Sequence, residues 1–548
     1  MTNDIRRGLA PGKSRGFITS SFWARRPRGY WIMRKVRGLV IGITTVLALT
    51  FCFAKSPPSS AASTSANLFS ADGSSFDAGQ AGWASLTAGA SLRRVTAPVK
   101  TGTGSLSVTT TGQGPLDVML ASGTGTSTWT RAVPGLRYTG SAFVRAASQY
   151  RWIAPVMAFF DASGTKLAGV SGQASVDSTS AWVQTSPVVG LSPAGTAYVV
   201  FGLTVYQTST NEVHYVDGAS LTSTTASPRA LKAPFHTSGN AIYGADGAKV
   251  IFRGVHREGT QVGVQLFPSV TEIAQARAWG ANVVRVPLNE AQWLSTCPSP
   301  ATNDASYPGA VDNEVKQITS RGMLAILDLH WTVTGTCTPA AQQAMADAAY
   351  APKFWSIIAA RYKSNPLVAF DLYNEPHDIS DGVWLNGGTA TFNGTSFKAA
   401  GMQQLYKAVR ATGSTNLVFV SGNMWGARPA AALVTGTNIV NAIHDYPCGP
   451  ATTSCSGSQP YDPTPTLSMW NTVAASKPVM VTEFGFPNRN NGTFIASLIA
   501  TTKARGWGWT AFSWGSWADS QWRIVASMGQ TYEPSASGIP VLAGLVAN

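Results

Sequence analysis

VAFDLYNEP (368–376) begins as an apolar run and ends on an amide, a carboxylate and a proline. A short apolar run that stops at a breaker reads as a strand covered on both faces, the form taken by strands of a parallel sheet. Seven further stretches share it: VIFRGVH (250–256), ANVVRVPL (281–288), MLAILDLHW (323–331), NLVFVSGN (416–423), IVNAIHDYP (439–447), PVMVTEFGF (478–486) and GWTAFSWG (508–515). Helix-length segments lie between them, among them VTEIAQARAW (270–279), AVDNEVKQITSRG (310–322), PKFWSIIAARY (352–362) and FKAAGMQQLYKAVRAT (397–412). Eight alternating strand–helix units over about 300 residues predict a closed (β/α)8 barrel, an α/β fold. A doubly wound sheet is the alternative, but no glycine-rich nucleotide loop follows the first strand.

Upstream of this region the chain changes character. Between Asn67 and Thr222 it is rich in Ser, Thr, Gly and Val, with alternating runs such as SLSVTT (105–110), YTGSAFVRAA (138–147) and AYVVFGLTVY (197–206). Period-two alternation punctuated by glycine and proline predicts an all-β sandwich. It ends at a polar connector, TSTTASPRALKAP (222–234). At the amino end, residues 1–38 hold ten Lys and Arg against one Asp, and sixteen uncharged residues follow (39–54). That order reads as a signal peptide with a long basic n-region, and Met33 is an alternative start. The apolar run is shorter than the ~20 residues a membrane helix needs. The predicted layout is therefore 1–62 signal peptide, 63–226 β-sandwich and 227–548 barrel. A secreted, extracellular monomer without stable membrane association is expected.

Composition agrees with several folded units, since 548 residues exceed one ordinary core and 44% are hydrophobic. The net charge of +14 suggests a polyanionic partner, but most of it sits in the basic amino end. The rest carries 30 Lys and Arg against 25 Asp and Glu, too balanced for a phosphate footprint, so nucleic acid is excluded as a partner. Setting aside Cys52 in the apolar run leaves Cys297, Cys337, Cys448 and Cys455. An even set in a secreted chain predicts two disulfides. Of three connectivities we favour Cys448 with Cys455, close in sequence, and Cys297 with Cys337, in the loops after adjacent strands two and three. A metal site is the rival, without a C-x-x-C pair to support it.

Polar residues that end apolar barrel strands stand at the mouth where such folds carry their active sites. Arg285 closes the second strand, His330 the third, Asn374 and Glu375 the fourth, His444 and Tyr446 the sixth, Glu483 the seventh and Trp514 the eighth. Glu375 and Glu483 face each other across the mouth. Two carboxyls flanking one bond are what glycoside hydrolysis requires, one protonated and one ionised. Arg285 and Tyr446 are suited to keeping Glu483 ionised, whereas Glu375, without such partners, is expected to stay protonated. This chemistry calls for a polysaccharide or oligosaccharide substrate and no cofactor or metal. His256 and His377 are secondary candidates for substrate contact. Trp331, Trp425 and Trp517 lie beyond strand ends, where an aromatic face can stack on a sugar or pack in the core.

The motifs RGV at 253, NVVRVP at 282, LDLHW at 327, YNEP at 373, HDYP at 444, VTEFG at 481 and FSWG at 512, in that order, resemble glycoside hydrolase family 5, the large cellulase family of clan A. The resemblance covers about Ala241 to Gly515. It implies that Glu375 is the acid/base and Glu483 the nucleophile of a retaining double displacement. It further implies that Asn374 meets the sugar 2-hydroxyl, that His444 and Tyr446 line the nucleophile, that His330 meets the glycone and that Trp514 forms a stacking floor. The expected activity is that of an endo-β-1,4-glucanase. Mannanases, xyloglucanases, β-1,3-glucanases and exo-acting enzymes of the same family are alternatives, as is a barrel that only binds polysaccharide.

The ends of the upstream module, NLFSADGSSFDAGQAGW (67–83) and HYVDGASLT (214–222), resemble jelly-roll carbohydrate-binding modules of the family 4, 9 and 22 type. That resemblance implies a structural calcium, with Asp217 at the closing ligand position and Asp77 as a partner. Trp129, Trp152 and Tyr206 are its candidate sugar-stacking residues.

Overall fold

In the computed structural model the described residues are 66–546, apart from 114, 194, 225–229, 264–265, 295–305, 334–341, 448–461, 487–492, 516–521 and 527–533. The signal segment, the four cysteines and Trp517 lie outside them.

Residues 84–224 build two antiparallel sheets. One runs Ala84–Ser85, Leu116–Ala121, Tyr198–Thr208, Trp152–Phe160, Lys166–Ser171; the other runs Val183–Gln184, Arg137–Ala146, Val213–Thr224, Ser105–Thr110, Ala90–Val95. Along Arg137–Ala146 every second residue is buried, beginning with Tyr138. That alternation is the signature of a strand with one face on a core. Trp83, Leu106, Val144, Phe159, Phe201 and Val216 fill the space between the sheets.

The eight predicted parallel strands form a closed barrel: β1 (Arg253–Arg257), β2 (Val283–Asn289), β3 (Leu324–Trp331), β4 (Val368–Asp371), β5 (Val418–Ser421), β6 (Ile439–Asp445), β7 (Val479–Phe484) and β8 (Gly508–Trp514). Every residue of β2 and β7 is buried, as strands sandwiched between a barrel interior and a helical coat must be. At the amino-terminal end a small sheet (His236–Ser238, Ala241–Tyr243, Lys249–Val250) covers the barrel. Phe235 and Ile242 from this cover cluster with Phe252, Ile326, Phe419 and Met480. The bottom of the barrel is thus packed, and the carboxyl end carries the polar groups.

One predicted helix is corrected. FKAAGMQQLYKAVRAT splits into the second strand of a hairpin (Gly388–Phe392 with Thr395–Ala399) and a helix confined to Met402–Ala411. Asn393 and Gly394 turn the hairpin with φ of 47° and 77°, the left-handed pair that a two-residue turn requires.

Sandwich and barrel belong to one compact unit, Thr64–Asn548. Strand Lys166–Ser171 packs on helix Val270–Ala278 of the barrel. There the Gly169 N–H donates to the buried Gln275 Oε1 at 2.7 Å. Among the described residues no helix is long and apolar enough to cross a membrane.

Candidate active site

Arg285 occupies the centre. It points inward from β2, is fully buried, and spreads its guanidinium over five partners, one of them His256, whose Nδ1 lies 3.1 Å from Nη1. Nη1 donates to Glu483 Oε2 at 2.9 Å, Nε to Asp371 Oδ2 at 3.0 Å, and Nη2 to Asn374 Oδ1 at 2.9 Å; Nη2 also lies 3.1 Å from Asp328 Oδ1. A buried cation of this kind is tolerated only when its donors are spent on ionised acceptors.

Glu483, at the end of β7, is gripped from three sides. Oε1 accepts the Tyr446 hydroxyl at 2.7 Å, while Oε2 lies 2.9 Å from Arg285 Nη1 and 3.0 Å from His256 Nδ1. Burial opposes its ionisation, but His444, His256 and Arg285 outweigh burial and hold the carboxyl well below the usual carboxylate range. His256 is itself brought down to about 4, by burial first and then by Arg285. At neutral pH it is therefore an uncharged hydrogen-bonding group beside an anion. Burial, with Glu483 and Glu375 nearby, lifts the Tyr446 phenol well above its ordinary value, so that it stays a donor.

Glu375, half-buried just beyond β4, faces this carboxylate. One oxygen of Glu375, one of Glu483 and a ring nitrogen of His444 lie within 4.8 Å of one another. His444 Nδ1 stands 2.9 Å from Glu375 Oε1 and 3.9 Å from Glu483 Oε2. Burial works against a charge on His444, but the two carboxylates more than offset it and raise its pKa. The loop after β5 crosses this ring at Gly426, whose φ is 76° and where a Cβ would come within 2.9 Å of His444 Cγ. Only glycine serves there.

The expectation that Glu375 lacks partners is corrected. Besides His444 it accepts from Gln342 Nε2 at 2.5 Å, and Asn374 Nδ2 donates to Gln342 Oε1 at 2.8 Å. Because Arg285 holds the Asn374 oxygen, its amide is oriented with Nδ2 outward. His330 is placed at the rim of β3 by Asp328, whose Oδ2 lies 2.6 Å from Nδ1.

Trp514 is the second correction. It is fully buried and packs edge-on against Trp279 at 5.0 Å, so it offers no face to a sugar. A bulge at Ser513 explains this: His256 pairs with Phe512, but Arg257 pairs with Trp514. The extra residue turns Trp514 outward with Arg257, under helix Val270–Ala278, and leaves Phe512 on the inner side. The aromatic wall of the site is Phe512, 5.2 Å from the His256 ring, with Trp522, which lies 5.7 Å from Tyr446. Beyond β5, Trp425 stacks on His377 at 3.6 Å.

Sequence reasoning missed Asp328, Asp371, Gln342, Phe512 and Trp522, and gave His256 too little weight. The first two sit within the strand runs at Asp328 and Asp371, where a charge in an apolar strand was itself a signal. Gln342 left none.

Among the described residues two groups of donors could hold a cation, His256–Asp328–His330 and Glu375–His444–Glu483. Each contains a carboxylate already paired with Arg285, and that fixed positive charge disfavours a second one. In the sandwich, the oxygens of Asp217, the implied calcium ligand, accept the N–H groups of Lys100, Thr101 and Gly218 at 2.6–2.9 Å. Asp77 likewise accepts the Thr103 N–H at 2.7 Å and the Ser75 hydroxyl at 3.0 Å. Amide donors occupy the lone pairs that an ion would need. Trp129 stacks on Phe160 at 4.1 Å, Tyr206 is half-buried, and Trp152 is exposed.

A (β/α)8 barrel with two carboxyl groups facing each other across its carboxyl-terminal mouth is the arrangement of glycoside hydrolases. The family model for cellulase (glycosyl hydrolase family 5) matches residues 243–518, half of the chain, and the protein belongs to that family. It is 29% identical over 189 residues to the manganese-dependent endoglucanase Eg5A of Phanerodontia chrysosporium, covering 34% of this chain and 45% of that protein. It is 26% identical over 172 residues to endoglucanase 1 of Saitozyma flava, covering 30% and 50%. The chain spans about half the length of these curated relatives. The catalytic domain of the major endoglucanase of Xanthomonas campestris pv. campestris aligns at 18% identity over 57% of this chain and all of that domain, with a TM-score of 0.45.

Proposed function

We propose that the protein is a secreted endo-β-1,4-glucanase that cleaves with retention of anomeric configuration. The observation that carries this reading is the approach of a Glu375 oxygen and a Glu483 oxygen to within 4.8 Å of each other. Retaining enzymes keep their carboxyl groups roughly 5–5.5 Å apart, whereas inverting ones need room for a water between them. The two acids also differ in surroundings, as a nucleophile and an acid must.

Glu483, kept ionised and oriented by Arg285, His256 and Tyr446, attacks the anomeric carbon as Glu375 protonates the leaving oxygen. Water entering on the vacated side then gives its proton to Glu375 and breaks the glycosyl–Glu483 ester. His444 stands beside both carboxyls. Asn374, with its oxygen held by Arg285, directs Nδ2 toward the sugar 2-hydroxyl once Gln342 yields it. That the fungal relatives are endoglucanases supports the β-1,4 and endo assignment.

Incubation with cellulose, mannan, xyloglucan and laminarin tests the substrate, with soluble product expected from cellulose first. Proton NMR of the earliest product tests the stereochemistry. The β-anomer is expected, and early α-anomer would overturn the assignment. Glu483→Ala should lower kcat by roughly 10⁴-fold or more.

A further inference from the structure

We propose that Glu290 and Asp347 share one proton and, through it, position Gln342 against the acid/base carboxyl of Glu375, an inference that rests on the reading above. Glu290 opens the short helix Glu290–Leu294 directly after β2, and Asp347 lies in the loop after β3. Both are buried. Each spends one oxygen on backbone amides. Glu290 Oε2 accepts the Val333 N–H at 3.2 Å, and Asp347 Oδ1 accepts those of Ala349 and Tyr350 at 2.9 and 2.7 Å. The other two oxygens, Glu290 Oε1 and Asp347 Oδ2, have no donor, although the two side chains stand within hydrogen-bonding reach of each other. Acceptors meet this way only around a proton, because two buried carboxylates in contact repel. Burial, and then Asp347, pushes the Glu290 carboxyl well above its ordinary value. Burial raises Asp347 as well, with the bond from Glu290 and the amides of Tyr350 and Ala349 acting against it. The proton thus resides on Glu290 and is donated to Asp347.

This bond anchors the far end of the segment that reaches the site. Residues 343–346 are buried and belong to no helix or sheet, so individual contacts must hold them. The Tyr373 hydroxyl donates to the Gln343 carbonyl at 2.5 Å, the His377 N–H to that of Ala344 at 3.0 Å and the Ala400 N–H to that of Ala346 at 2.9 Å. At the near end Gln342 bonds both Glu375 and Asn374. Without the proton, two anions would be left in contact, and their repulsion would push Asp347 and this segment away from β2. Tyr373 is a further titratable group near Glu290. On the other elements packed here, Arg285 and His330 pair with Asp328, Glu314 with Arg257 and Arg361 with Asp312, while Lys316, Lys353 and Lys398 are exposed. Among the described residues no cation replaces the proton.

Urea unfolding between pH 6 and 8 tests the proton. A proton held by the folded chain and absent from the unfolded one makes stability fall as pH rises, and Glu290→Gln, whose amide donates at any pH, removes that contribution. The unfolding constant of the unaltered chain relative to that of the variant should therefore grow about tenfold per pH unit; a ratio independent of pH would overturn the shared proton. Kinetics on a soluble cello-oligosaccharide test the positioning. Glu290→Ala should lower kcat about tenfold with little change in KM, and Glu290→Gln should restore it. Added to Gln342→Ala, Glu290→Ala should cost almost nothing more, since both act on one contact. Full additivity, or a kcat that Glu290→Gln does not restore, would overturn the positioning role. The urea comparison needs only Glu290→Gln and decides whether or not Glu290→Ala folds. A pH-dependent ratio in a chain that hydrolyses no glucan would sink the enzymatic reading alone, and turnover indifferent to Glu290→Ala would sink this one alone.

Discussion

His256 and Gln342 each touch one of the two facing carboxyls, and each does so through a single contact that a substitution can remove. His256 is one of the groups that keep Glu483 ionised. Removing it raises the folded pKa of a carboxyl that, as the proposed nucleophile, must be charged to attack, so activity should be lost at a higher pH as the solution is acidified. His256→Leu is expected to move the acid limb of kcat/KM upward by about one unit, read from a pH–rate profile; an unmoved limb would separate His256 from the charge on Glu483. Gln342→Ala should lower kcat about tenfold, because Glu375 then keeps only His444 to fix its plane. Steady-state kinetics on a soluble cello-oligosaccharide check this, and a change confined to KM would count against it. Glu375 and Glu483 were legible in the sequence, since each ends an apolar strand. Gln342 was not, because nothing in its local pattern tells which carboxyl a distant loop will reach.

Within the elements, backbone geometry decides which side chains the barrel mouth receives. The bulge at Ser513 puts Phe512 inside and Trp514 outside, against a simple alternation that would give both the same face. Bulges depend on how a strand pairs with its neighbour, so the period of β8 alone could not reveal one. At the start of the barrel, Gly254 in β1 lies so close to β2 that a Cβ there would come within 1.8 Å of the Val283 carbonyl oxygen. Gly254→Ala should therefore cost at least about 3 kcal/mol, measured by urea denaturation, and near-normal stability would mean that the two strands can part without penalty. The Gly388–Ala399 hairpin shows the reverse case. Its Asn-Gly turn between Thr-rich runs is a legible hairpin signal, and the helical period of the following run begins only beyond Gly401.

For the molecule as a whole, sandwich and barrel share a packed boundary at helix Val270–Ala278. Gln275, fully buried, accepts the Gly169 N–H across it. Gln275→Ala leaves that amide unsatisfied and should cost about 1–3 kcal/mol. Because the two parts pack as one unit, calorimetry should show a single transition that moves to lower temperature in the variant. Two resolved transitions, with only one of them shifted, would show that the parts unfold independently. The sequence by itself determined the eight strands, the all-β module before them and the two glutamates, because each is written in local periodicity and in the residue that ends a run. Only the tertiary structure decided which side chains Arg285 joins, which aromatic faces the cleft, that Asp217 is consumed by amides, and that Glu290 meets Asp347. Those outcomes depend on strand register and on contacts between residues far apart in the chain, and no local pattern encodes the partner at the other end.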